Sequence, residues 1–122
     1  MPEVVEDRTI FSLLEVTRSI QKTIAERYKS LYWIKAEMNK LNHYSHSGHC
    51  YPELVEKTEG KIVAEIRSIL WKADYHRINN HFLKIAQEPL REGITMLFQA
   101  SISYDPMYGL SLRIVDMIRL LL

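Results

Sequence analysis

Cysteine is almost missing from this chain. Cys50 is the single thiol in 122 residues, so no internal disulfide can form and a reducing compartment is the simpler reading. Long apolar runs are missing too. No stretch approaches the roughly 18 residues of a membrane span. The stretch from Met1 to Arg8 is acidic and polar, which excludes a secretory leader. Both absences point to the cytoplasm and away from membranes. No phosphate-binding loop, nucleophile elbow or paired-carboxylate spacing is present. Glu37 and Glu53 fall on separate strands, one carboxylate each, and read as structural. No internal repeat or low-complexity stretch appears. Overall charge says little, because the net is only +1.

What remains is one domain's worth of chain, 47% hydrophobic and 25% charged. That is long enough to bury a core without a disulfide or a structural metal. The charge is unevenly spread. Between Arg27 and His49, Arg27, Lys29, Lys35 and Lys40 stand against Glu37, a local +3. Between Lys61 and Lys84, Lys61, Arg67, Lys72, Arg77 and Lys84 stand against Glu65 and Asp74, again +3. Two basic segments in an otherwise acidic chain are compatible with one basic face, provided the fold brings them together.

Residues 1–10 show little apolar patterning and read as a mobile arm. Ser12 followed by Glu15 is a capping box, with Phe11 placed to staple onto Val16. Leu13, Val16, Ile20 and Ile24 then recur at helical spacing, which predicts an amphipathic helix over Leu13–Tyr28 within an N-terminal segment 11–30. That helix packs on its own domain by one face; a partner-binding helix is the alternative. From Leu31 the period drops to two. Strand one is expected over Leu31–Lys40, a polar loop over Asn42–Gly48, and strand two over His49–Val55. Thr58-Glu59-Gly60 is a tight turn into strand three, Lys61–Trp71, in which Ile62, Ala64 and Ile66 alternate with Val63, Glu65 and Arg67. A polar segment, Lys72–Asn80, leads to a short helix around Phe82–Ala86. Strand four spans Ile94–Tyr104, Asp105–Gly109 is a hairpin turn, and strand five, Leu110–Met117, faces Leu110, Leu112 and Ile114 inward. The fold class is therefore mainly β, a five-stranded OB-fold barrel over 31–117 with a short helix between strands three and four. Residues 118–122 are apolar and read as the cut edge of a longer protein, with a native terminal helix as the alternative.

An OB barrel binds single strands across strands two and three, walled by the one–two and four–five loops. Aromatic side chains stack bases, and cations hold phosphates. The candidates are Trp33, Lys35, Asn39, Lys40, His46, His49, Tyr51, Arg67, Trp71, Lys72, Tyr104, Tyr108 and Arg113. Each has a plainer reading, as core or rim packing for an aromatic and as a solvated face for a charge. His43, His46, His49 and Cys50 offer nitrogen and sulfur ligands for zinc, but no second ligand pair closes a tetrahedron. A polar loop, or imidazoles that stack on nucleic acid, are the other readings of that stretch.

The same residues resemble a known family. Phe11-Ser12-Leu13-x-Glu15 with Ser19-Ile20, Trp33-Ile34-Lys35-Ala36-Glu37-Met38-Asn39, and Ser47-Gly48-His49-Cys50-Tyr51 resemble the opening of the large subunit of exodeoxyribonuclease VII. So do Gly60 with Ile66-Arg67-Ser68-Ile69-Leu70-Trp71-Lys72, Glu92-Gly93, and Tyr104-Asp105-Pro106-x-x-Gly109-x-Ser111-Leu112. The resemblance implies an OB-type domain for single-stranded DNA, followed in the family by a separate catalytic domain and a helical region that recruits a small subunit. It implies that this stretch carries no catalytic residues and needs no cofactor, and that the small subunit is reached through regions outside it. Four residues depart from the pattern. Ala36 replaces a Gly that lets strand one bend, and Pro52 replaces an aromatic and removes a ladder donor. Val55-Glu56 also replaces Lys-Asp. A docking module with little DNA affinity is the competing functional reading, and a small metal-dependent enzyme is a third.

Overall fold

The structure, a computed structural model, describes residues 2–120. In order, the elements are β1 (Glu3–Val5), β2 (Arg8–Ile10), α1 (Leu13–Arg27), β3 (Tyr32–Lys40), β4 (Glu53–Thr58), β5 (Lys61–Ile69), α2 (Lys72–Ala86), β6 (Ile94–Asp105) and β7 (Gly109–Arg119). Strands β3–β4–β5–β7–β6 form a closed barrel, with β6 pairing back onto β3. Every barrel pairing is antiparallel except β5–β7, where Ser68 meets Leu112 and Ile69 meets Arg113 in parallel. This is the five-stranded OB arrangement that the element order predicts, with a helix inserted between its third and fourth strands.

Alternation, broken at irregularities in β4 and β7, turns one face of each strand inward. Met38, Leu54, Leu70, Met96, Phe98, Ala100, Leu112 and Ile114 fill the barrel and are almost wholly excluded from water. Ile78 and Phe82 of α2 and Leu90 complete the same cluster. The turn between β4 and β5 uses Glu59 at φ 52° and Gly60 at φ 79°, a two-residue connection whose twist suits a hairpin. Glu92 and Gly93 fasten the start of β6 to the end of β3. Leu41 N–H donates to Glu92 Oε1 (2.9 Å) and Gly93 N–H to the Met38 carbonyl (2.7 Å).

Several expectations need correction. Residues 3–10, which show little apolar patterning, form a two-stranded hairpin around Glu6–Asp7. The helix α1 has its capping box, with Glu15 N–H on Ser12 Oγ (3.1 Å) and Ser12 N–H on Glu15 Oε1 (3.2 Å). It lies against β6, yet its buried residue is Thr17, whose hydroxyl donates back to the Leu13 carbonyl (2.9 Å). Of the expected docking stripe, Leu13, Val16 and Ile20 are exposed and Ile24 is half-buried. Phe11 and Val16, the staple pair, are exposed too.

Strand two begins four residues late, at Glu53, because Pro52 has no N–H to give the ladder. Before it, Cys50 forms single bridges to His43 and Leu70. Pro52 serves as an acceptor instead: its carbonyl takes the Ser68 N–H (3.1 Å) and hydroxyl (2.6 Å). Strand three ends at Ile69, and Trp71 becomes the N-cap of α2. The distal half of the β4–β5 hairpin projects from the barrel, so Ile62, Val63 and Ala64 are all exposed. The segment Lys72–Asn80 is helical from its first residue, because Tyr75, Ile78 and Phe82 fall on one face of α2 and pack on the core. Leu110 is exposed although it follows the inward register, because it lies past the end of the core. Ala36 causes no bulge against β6, where it pairs with Met96 in unbroken register; the shift falls between Met38 and Lys40 on the β4 side. Ile118 and Arg119 extend β7, and residues 121–122 lie outside the described region.

Candidate nucleic-acid interface

The bridge between Cys50 and Leu70 sets the register of the loop 41–52 against β5. Both side chains point inward and are fully buried. Their neighbours therefore point outward, which places His49 beside Trp71 and Tyr51 beside Ile69. The parallel pairing of Ile69 with Arg113 carries the same face onto β7. One step along, Lys40 pairs with Glu53 and Glu53 with Arg67, so cations from both basic segments lie in one row across three strands.

Direct contacts tie this face together. The His49 and Trp71 rings meet edge to face, with centroids 4.7 Å apart at 85°. The Arg113 guanidinium lies 6.0 Å from the Trp71 ring centroid. His49 Nδ1 accepts the Lys72 backbone N–H at 3.0 Å. Tyr44 stands edge-on to Tyr51 at 5.4 Å. On the far wall, Arg67 donates to the Tyr108 carbonyl. Asp105 Oδ1 accepts the Met107 (2.8 Å) and Tyr108 (3.1 Å) N–H groups and so shapes the turn. Tyr108 itself is 72% exposed at the tip. The result is an outward surface of partly open aromatics flanked by Lys72, Arg113, Arg67 and Lys40.

Not every candidate reaches it. Trp33 and Lys35 pair with Gln99 and Leu97 on the β3–β6 side of the barrel. Lys35 lines a separate shallow hollow of about 460 Å³ with Glu37 and Lys57, which form an ion pair at 3.0 Å. Asn39 sits half-buried in the β3 irregularity. Tyr104 follows the inner register with Ile102, Leu110 and Leu112, not the outer one with Arg113. His46 is exposed in the 41–52 loop.

The loop's ligand-type side chains are spread apart. His43 packs on Tyr75 with ring centroids 4.6 Å apart, and Cys50 points into the core. Among the described residues, no group of three or more His, Cys, Asp or Glu is placed to hold a metal. Burial pushes the Cys50 thiol up to about 11. Burial raises the Tyr75 hydroxyl too, with a smaller contribution from Cys50.

Two participants escaped the sequence reading. Tyr44 has no periodic signal, because it lies in a loop. Gly48 was quoted only as part of a motif, yet its φ is +80° and a Cβ there would come within 2.7 Å of Lys72 Cδ.

A family model described as an OB-fold nucleic acid binding domain matches residues 11–118. The chain belongs to this family. The match spans the barrel and α1 but not the N-terminal hairpin. Among solved structures, this OB domain is similar to the mitochondrial single-stranded DNA-binding protein Rim1 of S. cerevisiae. The TM-score is 0.47 at 15% identity, covering 72% of this chain and 90% of that one. No curated protein matches it. Among the described residues, no helix is long and apolar enough to cross a membrane.

Proposed function

We propose that this OB domain binds single-stranded DNA across the outer face of β4, β5 and β7, between the 41–52 and 105–109 loops. The observation that carries the reading is the clustering of Trp71, Tyr51, Lys72, Arg113 and Arg67 from three separate stretches of sequence onto one face, with His49 set against Trp71. Stacking on exposed aromatics suits unpaired bases, and the flanking cations suit the phosphates between them. The motifs shared with the large subunit of exodeoxyribonuclease VII support a finer reading. The domain would hold a strand for a nuclease domain elsewhere in a longer polypeptide, which in turn works with a small subunit.

A fluorescence anisotropy titration with labelled oligo-dT tests the first part. Engaging three cations predicts an affinity loss of roughly twentyfold for a fourfold rise in salt. Absence of binding at low salt, or equal affinity for duplex, removes the proposal. A second reading has its own observation. The hairpin and α1 leave Val4, Phe11, Leu13, Leu14 and Val16 exposed, which suits a docking module. In that case Arg67→Ala with Lys72→Ala leaves any DNA affinity unchanged.

A further inference from the structure

Helix α2 starts with a defect. Its N-cap is Trp71, a residue with no side-chain acceptor, and no cap hydrogen bond comes from it. The first backbone N–H groups of a helix have no partner within the helix, and Ser, Thr, Asp or Asn ordinarily supplies one from the cap position. Here the acceptor comes from a different part of the chain. His49, in the loop before β4 and 23 residues away, presents Nδ1 to the Lys72 N–H at 3.0 Å. An Nδ1 that accepts carries no proton, so the neutral ring keeps its proton on Nε2.

The same loop touches the next two residues of importance. The His49 ring braces Trp71 edge to face at 4.7 Å. Gly48 lets the backbone run against the Lys72 stem so closely that any Cβ would collide with Cγ and Cδ, at 2.9 and 2.7 Å. His49 is held in turn, since its own N–H donates to Ser47 Oγ at 3.1 Å. Trp71 and Lys72 are thus fixed by one short loop segment, Ser47–His49. Lys72 from α2 and Arg113 from β7 flank Trp71, and Asp74 lies in the first turn of α2.

We infer that His49 is a positioning residue for the single-strand site. It caps α2 from outside the helix, and the cap sets the Trp71 ring and the Lys72 stem in the arrangement that receives a base and its phosphate. This inference rests on the proposed single-strand function. A pre-set pair binds more tightly than a mobile one, because the ordering cost is met in the free protein. The acceptor, not the imidazole charge, is what the site needs.

The test compares His49→Asn, whose Oδ1 keeps an acceptor near the Nδ1 position, with His49→Leu, which keeps bulk and loses the acceptor. Hydrogen exchange of the Lys72 amide in the free protein reads the cap. Anisotropy with oligo-dT reads the site. Amide spectra of the barrel strands show whether each variant is folded. His49→Leu is expected to lose Lys72 protection and roughly fivefold in affinity, while His49→Asn keeps both within about twofold. Wild-type affinity in His49→Leu overturns the inference, as does a His49→Asn variant as weak as His49→Leu. Should His49→Leu fail to fold, His49→Asn decides, because retained affinity without an imidazole supports the acceptor role and lost affinity with a folded barrel refutes it. A wild-type protein that ignores oligo-dT sinks the single-strand reading instead, while Lys72 exchange in the two variants still decides whether His49 caps α2.

Discussion

Two surfaces of this domain are built in opposite ways. On the outer face around β5 and β7, most of the aromatics and two of the cations are held by a neighbour. Trp71 lies between His49 and Arg113, Arg67 holds the Tyr108 turn, and Tyr51 meets Tyr44. On the N-terminal side, the β1–β2 hairpin and α1 show the reverse. Val4, Leu13 and Phe11 are 74%, 79% and 57% exposed. Among the described elements, the hairpin strands pack on each other and α1 packs on β6. An isolated two-stranded hairpin is marginal in water. The first surface is pre-organised, which is how a binding site lowers the cost of ordering its ligand. The second has apolar area but no built geometry. Contact density, more than composition, separates a site from a patch.

The largest test of that contrast uses the two tryptophans. Trp71→Ala removes a stacking ring from the organised face and is expected to cost about 1–3 kcal/mol of single-strand affinity, roughly fivefold to 150-fold. Trp33→Ala, on the β3–β6 side, is expected to change affinity by less than about twofold. Both are read by anisotropy at fixed salt. If Trp33 matters as much as Trp71, the strand runs around the barrel and the face has been drawn too small.

Behind the organised face lies Cys50, whose thiol is held at about 11 by burial. In the unfolded chain a thiol loses its proton near its ordinary value, 9.0. Between those values the unfolded state binds fewer protons than the folded one, so stability falls as pH rises. The loss is expected to reach about 2 kcal/mol by pH 11. Lys and Tyr also titrate there, so the readout is the difference between wild type and Cys50→Ala in urea melts at pH 8 and pH 10.5. Parallel losses in the two proteins would show that Cys50 contributes nothing.

Much of the barrel was legible because its signals are local. The Ser12–Glu15 box, the Glu59–Gly60 turn and the alternation through β6 and β7 each need only a few neighbouring residues. The N-terminal half of α2 was not, because its three anchors, Tyr75, Ile78 and Phe82, are diluted among charged and amide side chains. The candidate site was half legible. Residue types pointed to Trp71, Lys72 and Arg113, but also to Trp33, Lys35 and Tyr104. Only cross-strand register separates the two groups, and register is a non-local property. The stripe on α1 failed differently. Helical periodicity reveals a face and does not reveal what covers it.

Gly48 offers a more moderate perturbation. At φ +80° an Ala is strained by about 1 kcal/mol, and its methyl would displace the Lys72 stem. Gly48→Ala should therefore lower both stability and affinity, with a melting temperature reduced by roughly 4–8 °C for a domain near this size. Gly60→Ala has a similar φ of +79° and nothing within 4 Å of the new methyl. It should show the stability loss without the affinity loss, and equal affinity losses would mean that the Gly48 approach has no bearing on the site.

The smallest effect belongs to the open surface. Leu13→Ser with Val16→Ser removes two apolar side chains from α1 that already face water. Exposed substitutions of this kind normally stay within about 0.5 kcal/mol. Serine is also a poorer helix former than leucine, which sets a small destabilisation as the baseline. The pair should leave oligo-dT affinity unchanged, because among the described elements α1 packs on β6 and not on β5, α2 or β7. A loss of 2 kcal/mol or more in chemical melts would mean that these side chains are covered in solution. Concentration dependence of that loss would then locate the cover on another molecule rather than on the domain's own barrel.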